Sequence, residues 1–494
     1  MANKDKKPRT DLPELVSSDE VFGVLREFNP WWEGGAIPGL PTWRRSAFRE
    51  LMRWLREPPA QRAVLLTGAR QVGKTTLLWQ AAEDLLRSGV TPEQILYVTF
   101  DHPLFKLAGI EAVLRLWREM KASTGPVEYL LLDEVQNTTE WQVWLKHQTD
   151  LRKDRRIAVT GSALPLVEEG QESGVGRWHT IKLPTLSFAE YLQLKNIDIP
   201  SIPDLDSLTA VFEWPTRQRA DVSASAAPLA AHFHEYLVRG GFPQTAQVHD
   251  LRLAQKLLRE DIVDKVLKRD MTALYGVRRI IELEKVFLYL CQHDGGVLDM
   301  QALCSSLGLN KATVHNFLAL LASTHLIYKL KPLAYGKEVL RAKQKVYLAD
   351  AAIAGSVMLW GQSILENPTR LGKAVETSVF KHLFTRYYAT AIDFAYWRGK
   401  NDVEVDIVAE FSNQVVPFEV KYSRSIHPDD VRGLRALCAA RAVPRAYVIT
   451  RDMNDFSVET IGGGADNPLG TALARIPAPL ACYWLSKTEL HVAD

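Results

Sequence analysis

Residues Gly68-Ala69-Arg70-Gln71-Val72-Gly73-Lys74-Thr75 follow the pattern G-x-x-x-x-G-K-[ST]. Glycines at these places let a backbone curl until its N–H groups face phosphate oxygens. The apolar run Ala63–Leu66 precedes the pattern and the helical stretch Thr76–Leu86 follows it, so the loop should join a strand to a helix N-terminus. In that setting Lys74 reaches the β- and γ-phosphates of a nucleotide and the Thr75 hydroxyl is placed for Mg²⁺. The residues expected to hold ATP are Gly68, Ala69, Arg70, Gln71, Val72, Gly73, Lys74, Thr75 and Thr76.

Hydrolysis needs a second metal partner and a group that activates water. Leu130-Leu131-Leu132-Asp133-Glu134, an apolar strand ending in two carboxylates, supplies both. Asp133 is assigned to the Mg²⁺ shell and Glu134 to the attacking water. The run Ile157–Thr160 ends in Gly161-Ser162, which brings the Thr160 or Ser162 hydroxyl toward the γ-phosphate as a sensor. Arg177 has two readings: an arginine that stabilises transition-state charge, in cis or across a subunit interface, or a structural ion-pair partner.

A second set of charged residues lies near the C-terminus. Glu376 falls on a predicted helix, Gly372–Tyr387, Asp406 on the alternating run Val403–Val408, and Glu419 and Lys421 on Pro417-Phe418-Glu419-Val420-Lys421. This is the order of a D…E-x-K nuclease core, PD-(D/E)XK in shorthand. Period-two geometry turns Glu419 and Lys421 to one face of a strand and Val420 to the other. Asp406 and Glu419 would bind Mg²⁺, Glu376 would complete the shell, and Lys421 would orient water at a phosphodiester. The alternatives are a chance set of strand-edge charges, or a nuclease-like fold that binds DNA without cutting it.

Between these two sets, Val297–Leu330 reads as two short amphipathic helices meeting at Gly308 and running into a strand, Leu326–Leu330. A helix-turn-helix with a wing strand fits that pattern. Thr313, His315 and Asn316 lie near the start of its second helix, where side chains reach base edges in a major groove. Lys329, Lys331, Lys337, Arg341, Lys343 and Lys345, with Tyr335 among them, form a basic continuation suited to phosphate contacts. The competing readings are a protein-contact module and a solvated basic face.

The elements that position these groups divide the chain into modules. At 494 residues it is too long for one ordinary domain of roughly 100–200 residues. Residues 1–60 read as an irregular lead-in ending in a helix over Arg44–Arg56. The short apolar runs Ala63–Leu66, Ile95–Phe100, Tyr129–Leu132 and Ile157–Thr160, with helical sequence between them, predict a parallel sheet wrapped by helices over residues 61–205. Residues 206–230, with Pro215 and the stretch Ala220–Pro228, read as a linker. Residues 231–350 form the helical and winged-helix part and 351–494 an α/β part. The last part has the order helix, three strands, helix, strand, ending in Arg445–Thr450, which looks like the restriction-endonuclease-like fold.

Composition is that of a globular chain, with 47% hydrophobic and 24% charged residues. Sixty Lys+Arg against 58 Asp+Glu give a net charge of +2, so any nucleic-acid surface must be a local patch. Cys291, Cys304, Cys438 and Cys482 lack CxxC spacing, which argues against a disulfide framework or a zinc site and fits a reducing cytoplasm. No signal peptide or membrane helix is expected, because the lysine-rich start leads into no apolar core and the run Val346–Trp360 is interrupted by Asp350.

The run Leu66–Thr76 is joined by Leu132-Asp133-Glu134-Val135-Gln136, Thr160-Gly161-Ser162-Ala163, Gly176-Arg177 and Leu183-Pro184-Thr185-Leu186-Ser187-Phe188. Further along stand Gly240-Gly241-Phe242-Pro243, Lys268-Arg269-Asp270, Asn310–Leu321 and Lys345-Val346-Tyr347-Leu348-Ala349-Asp350. In these motifs the chain resembles the prokaryotic AAA+-like P-loop ATPases, ATP-binding proteins with a C-terminal domain of unknown function. The resemblance covers most of the chain past residue 40, and departs from the pattern at Pro184-Thr185-Leu186, where a leucine-proline-leucine type run is common. It implies an oligomeric ATPase, a hexameric ring being one form, that binds DNA; branched or forked DNA is a suitable target because phosphate contacts read shape better than sequence. Two other functions stay open: an ATP-gated, Mg²⁺-dependent nuclease in defence or repair, and a STAND-like signalling switch whose helix-turn-helix meets a protein.

Overall fold

A computed structural model of the chain describes residues 17–120, 125–161, 176–205, 207–272, 276–333, 343–388, 390–400, 403–412, 414–462 and 470–486. The chain forms two compact units, Met1–Leu183 and Pro184–Asp494. Among the described residues no helix is long and apolar enough to cross a membrane.

The first unit is built on a parallel sheet of five strands: β1 (Ala63–Thr67), β2 (Ile95–Thr99), β3 (Glu128–Asp133), β4 (Arg155–Gly161) and β5 (Trp178–Lys182). Its order is β2-β3-β4-β1-β5. Helices cover both faces of such a sheet, which is why β1 and β2 are apolar along nearly their whole length. The helices are α1 (Ser18–Phe28), α2 (Ala47–Arg56), α3 (Lys74–Arg87), α4 (Pro103–Met120), kinked at Gly109, and α5 (Trp141–Leu151). The expected apolar runs all become strands; β5, WHTIK, has no such run because it is a half-exposed edge.

The irregular lead-in is corrected by α1. Ser17 and Glu20 close a capping box at its N-terminus, and Val21 and Leu25 bury its inner face. The segment then seals the other sheet edge. Asn29 Nδ2 donates to the Tyr97 carbonyl at 2.8 Å and its Oδ1 accepts from the Tyr97 N–H at 2.7 Å, so this side chain replaces a neighbouring strand. The indoles of Trp31 and Trp32 both donate to the Ile95 carbonyl, at 3.2 and 3.0 Å.

The second unit begins with helices α6 (Phe188–Leu194), α7 (Thr216–Ala226), α8 (Leu229–Arg239), α9 (Pro243–Gln247) and α10 (Leu251–Leu257), the last continued by π-helical turns over Leu258–Asp270. The expected linker over 206–230 is therefore largely helical. Its alanines and serines are good enough helix formers once Val222, Ser223 and Ala226 are buried on one side of α7. Next come α11 (Ile280–Gln292), β6 (Gly296–Val297), α12 (Met300–Leu307), α13 (Lys311–Ser323), β7 (Ile327–Pro332) and β8 (Lys345–Leu348). Asp299 caps α12, Gly308 turns the chain at φ 65°, and the Asn310 side chain accepts the Thr313 N–H at 2.8 Å to start α13.

After α14 (Ala352–Val357) the chain runs α15 (Pro368–Tyr387), β9 (Asp393–Arg398), β10 (Glu404–Phe411), β11 (Gln414–Lys421), α16 (Arg432–Arg441), β12 (Arg445–Thr450), β13 (Ser457–Ile461), β14 (Thr471–Pro477) and α17 (Ala478–Leu485). One nine-stranded sheet, β13-β14-β12-β11-β10-β9-β7-β8-β6, carries both the hairpin β7–β8 and the C-terminal strands. No break in the sheet falls at the boundary of 350 and 351 expected from sequence, because β7 pairs in parallel with β9 at Lys331–Ala395 and Pro332–Tyr396.

Several of the sequence motifs meet inside this unit. Asp350 Oδ2 accepts from Thr185 Oγ1 at 2.7 Å, from the Gly241 N–H at 3.0 Å and from Lys381 Nζ at 3.4 Å. Lys381 also donates to the Leu186 carbonyl at 2.9 Å and to the Tyr236 hydroxyl. Gly241 is needed here because a Cβ at its position would lie 2.6 Å from the Leu186 carbonyl oxygen. Gly241→Ala should therefore cost about 1–3 kcal/mol of second-unit stability through overpacking. Urea unfolding of parent and variant measures this, and equal midpoints would contradict the packing argument.

Candidate functional site

The phosphate loop leaves β1 at its C-terminal end and enters α3. Gln71 and Gly73 both take positive φ, 58° and 96°. At Gly68 a Cβ would stand 2.1 Å from the Leu183 carbonyl oxygen, so only glycine fits. Lys74 is 4% exposed, and its ammonium donates to the Gly68 and Ala69 carbonyls at 3.0 and 2.9 Å. It also lies 4.0 Å from Glu134 Oε1. Arg45, just ahead of α2, is buried and donates from Nη1 to the Val72 carbonyl at 2.9 Å, bracing the loop from outside. Nothing in the local pattern around Arg45 signals that role, since it depends on a contact made 27 residues away.

Because β4 lies between β1 and β3, Thr160 sits between the phosphate loop and Asp133. Asp133 Oδ2 accepts from Thr75 Oγ1 at 2.6 Å and from the Tyr97 hydroxyl at 3.0 Å, and Oδ1 accepts from Thr160 Oγ1. Thr160 Oγ1 in turn accepts the Glu134 N–H at 3.0 Å. Glu134 takes a left-handed backbone, φ 52°, and its carboxylate accepts from Gln136 Nε2. Burial and the neighbouring Glu134 push the Asp133 carboxyl above its ordinary range, against hydrogen bonds from Thr160 and Thr75 and the Lys74 charge. A hydroxyl in contact with a carboxylate beside an anion-binding loop is a donor set that fits a hard divalent cation.

The two weaker assignments fare differently. Ser162 lies outside the described residues. Arg177 precedes β5 and its carbonyl accepts the Ala63 N–H at 3.0 Å, which puts it at the start of the sheet. The phosphate loop lies at the other end of β1, a strand length of roughly 16 Å away. Its guanidinium pairs instead with Asp150 at 3.0 Å. The in-cis finger reading is thus corrected, and the ion-pair reading describes the arrangement.

In the second unit the fold assembles Glu376 of α15, Asp406 of β10, and Glu419 and Lys421 of β11. Lys421 Nζ lies 2.7 Å from Glu419 Oε1, so the two share a face as period two requires. Asp406 Oδ2 accepts the Val420 N–H at 3.0 Å. Two residues of β8 join them unexpectedly. Lys345 Nζ contacts Glu376 Oε1 at 2.8 Å, and Glu404 Oε1 and Asp406 Oδ1 at 3.1 Å each. The Tyr347 hydroxyl donates to Glu376 Oε1 at 2.7 Å. Lys345 is 1% exposed, so its place in a basic DNA-facing run is corrected.

The electrostatics of this cluster follow from its burial. Burial works against the Lys345 ammonium, but the carboxylates of Glu376, Asp406 and Glu404 outweigh it and hold the group well above the usual lysine range. Burial and the Asp406 charge raise Glu376. Asp406 is also penalised by burial, yet Lys345, Lys421 and the Val420 N–H bring it below the ordinary range. Each of these carboxylates already has a cation or N–H on it. Among the described residues no group of three or more His, Cys, Asp or Glu is arranged to hold a metal. The residues as placed do not fit the Mg²⁺ of a nuclease core.

The residues expected to face DNA lie as follows on α13 and β7. His315 and Asn316 are exposed on α13, and Thr313 is half-buried behind its capped N–H. Lys329 and Lys331 are exposed on β7. Lys343 pairs with Asp299, the α12 cap, at 2.6 Å. Tyr335, Lys337 and Arg341 lie outside the described residues.

Burial, then the Asp406 charge, push Glu419 from 4.5 up to about 8 against the pull of Lys421. A carboxyl raised in this way keeps its proton in the fold after the unfolded chain has lost its own. Its stabilising contribution is then full below 4.5 and is lost as pH rises to about 8. Across that window the parent should lose stability relative to Glu419→Gln. Urea midpoints of both proteins at several pH values measure it, and a pH-independent difference would exclude the shift.

Comparison with known proteins gives these sites a context. Residues 371–463 match the domain of unknown function DUF4143, and 230–363 the domain of unknown function DUF8612. An uncharacterized protein of Haemophilus influenzae is 25% identical over 368 residues, 72% of this chain and 82% of its own. An uncharacterized protein of Mycobacterium tuberculosis is 26% identical over 445 residues, 88% of this chain and 83% of its own. Among solved structures, AMPPCP-bound DnaA from Aquifex aeolicus is 15% identical, with 59% of this chain and 90% of that chain covered, at a TM-score of 0.27. Residues 60–192, which carry the phosphate loop, Asp133, Glu134 and Thr160, match the AAA domain family, so this part of the chain is similar to AAA domains.

Proposed function

We propose that the first unit binds ATP with Mg²⁺ and hydrolyses it, and that the chain works as a homo-oligomer whose second unit holds DNA. The observation that carries the ATPase reading is the hydrogen-bond chain Thr75–Asp133–Thr160–Glu134 beside the phosphate loop. The loop N–H groups and Lys74 take the phosphate oxygens, Lys74 exchanging the Gly68 and Ala69 carbonyls for them. Thr75 and Asp133 would hold the Mg²⁺, which supplies charge neutralisation on the phosphates. Thr160 fixes the Glu134 backbone, so that the Glu134 carboxylate is kept beside Lys74 to polarise water.

For DNA, support comes from the order α11-β6-α12-α13-β7-β8, which is that of a winged helix, with His315 and Asn316 outward on α13 and Lys329 and Lys331 outward on β7. The order α15-β9-β10-β11-α16-β12 is that of a restriction-endonuclease-like core. Lys345 disfavours cleavage there, so that core is assigned to binding.

Lys74→Ala should abolish nucleotide binding. Glu134→Gln should keep binding while turnover falls by about 10²–10⁴, because only water activation is lost. Equilibrium ATP binding and phosphate release test both, and parental turnover in either variant contradicts the assignment. On forked and four-way DNA, Lys329→Ala with Lys331→Ala should lower the slope of log affinity against log salt by about 2. If the parent shows no salt-dependent DNA affinity, α13 belongs to a protein-partner surface instead.

A further inference from the structure

Lys345 is the cation that β8 brings into the acidic cluster from outside the C-terminal α/β segment, and its side chain is 2% exposed. An ammonium has three N–H donors and no acceptor. Here it meets Glu376 Oε1 at 2.8 Å, and Glu404 Oε1 and Asp406 Oδ1 at 3.1 Å each, one oxygen for each donor. Those oxygens come from α15 and from alternate residues of β10, which share one face of that strand.

A hard divalent cation makes the same demand, several anionic oxygens converging on one point. Both cannot be met at once. Asp406 Oδ1 and Glu376 Oε1, the atoms a metal would use, are held by Lys345, while Asp406 Oδ2 is engaged by the Val420 N–H and Glu419 Oε1 by Lys421. The placement is built into the sheet. Among the described residues β7 and β9 pair at Lys331–Ala395 and Pro332–Tyr396, the Tyr347 hydroxyl donates to the Asp406 carbonyl at 3.4 Å and the Tyr396 hydroxyl to the Lys343 carbonyl at 2.7 Å.

We propose that Lys345 is the resident cation of this site: its ammonium occupies the point that a divalent metal ion would hold among Glu376, Glu404 and Asp406. The folded chain then takes no metal there, and removing the ammonium converts the cluster into a divalent-cation site. Without Lys345, the oxygens of Glu376, Glu404 and Asp406 that converge on its ammonium are left without a cation, and a small dication can take its place. The proposal is independent of the ATPase reading.

The test is Mn²⁺ titration of the nucleotide-free, full-length protein, with free Mn²⁺ read by electron paramagnetic resonance. In the parent, Asp406→Asn should leave the number of bound ions unchanged. Lys345→Ala should gain one ion that the parent lacks, and Asp406→Asn in that background should remove it. Lys345→Gln, which keeps donors toward the carboxylates but removes the charge, should gain the same Asp406-dependent ion at lower affinity. If Lys345→Ala folds only with Mn²⁺, the metal-dependent rise in its unfolding temperature reports the same site. An Asp406-dependent ion in the parent overturns the proposal, as does its absence from either variant when folded.

Discussion

Taking a charge out of water costs several kcal/mol unless partners replace the water, and both units are organised around that constraint. In the first, the buried Asp133 carboxylate is met by Thr75, Thr160 and Tyr97, drawn from α3, β4 and β2. In the second, Lys345 is met by three carboxylates and Lys381 by Asp350, Thr185, Leu186 and Tyr236. Each charge therefore pulls together segments that local preference would leave independent, and removing one partner strands the others.

Around Asp133 this constraint joins the phosphate loop, β3 and β4. The strand order places β4 between the strand that leads into the loop and the strand that ends in Asp133. One hydroxyl, Thr160, can then touch both the carboxylate and the backbone of Glu134. The loop is also tied to Asp133 through Thr75, and to Glu134 through the 4.0 Å contact with Lys74.

In the second unit the same constraint binds the hairpin that follows α12 and α13 to the α/β part. The hairpin β7–β8 contributes strands to one sheet with β9–β14, and Lys345 and Tyr347 reach from it into the cluster of Glu376 and Asp406. The motifs Pro184-Thr185-Leu186, Gly240-Gly241 and Asp350 meet at Lys381. Such spaced motifs look like sites in a sequence, yet their work here is to satisfy buried polar groups.

Much of the first unit was legible because its signals are local. A phosphate loop is eight consecutive residues whose backbone does the binding, and buried parallel strands must be apolar throughout, so both can be read from short windows. The E-x-K face was legible for the same reason, since alternation along one strand is a local property. Arg45, Arg177 and Lys345 were not. Arg177 lies close in sequence to the nucleotide motifs but at the opposite end of the sheet, and Arg45 is made functional by the carbonyl of Val72. Lys345 sits within a lysine-rich run, where proximity suggests a solvated basic face. Only the pairing of β7 with β8 and β9 carries it to carboxylates 31, 59 and 61 residues further along. Which segments become strand, helix or phosphate loop is readable from the chain alone, because those choices depend on neighbours a few residues apart. The tertiary structure alone decided which charges meet, because a buried charge is partnered by whatever the sheet order brings within about 3 Å.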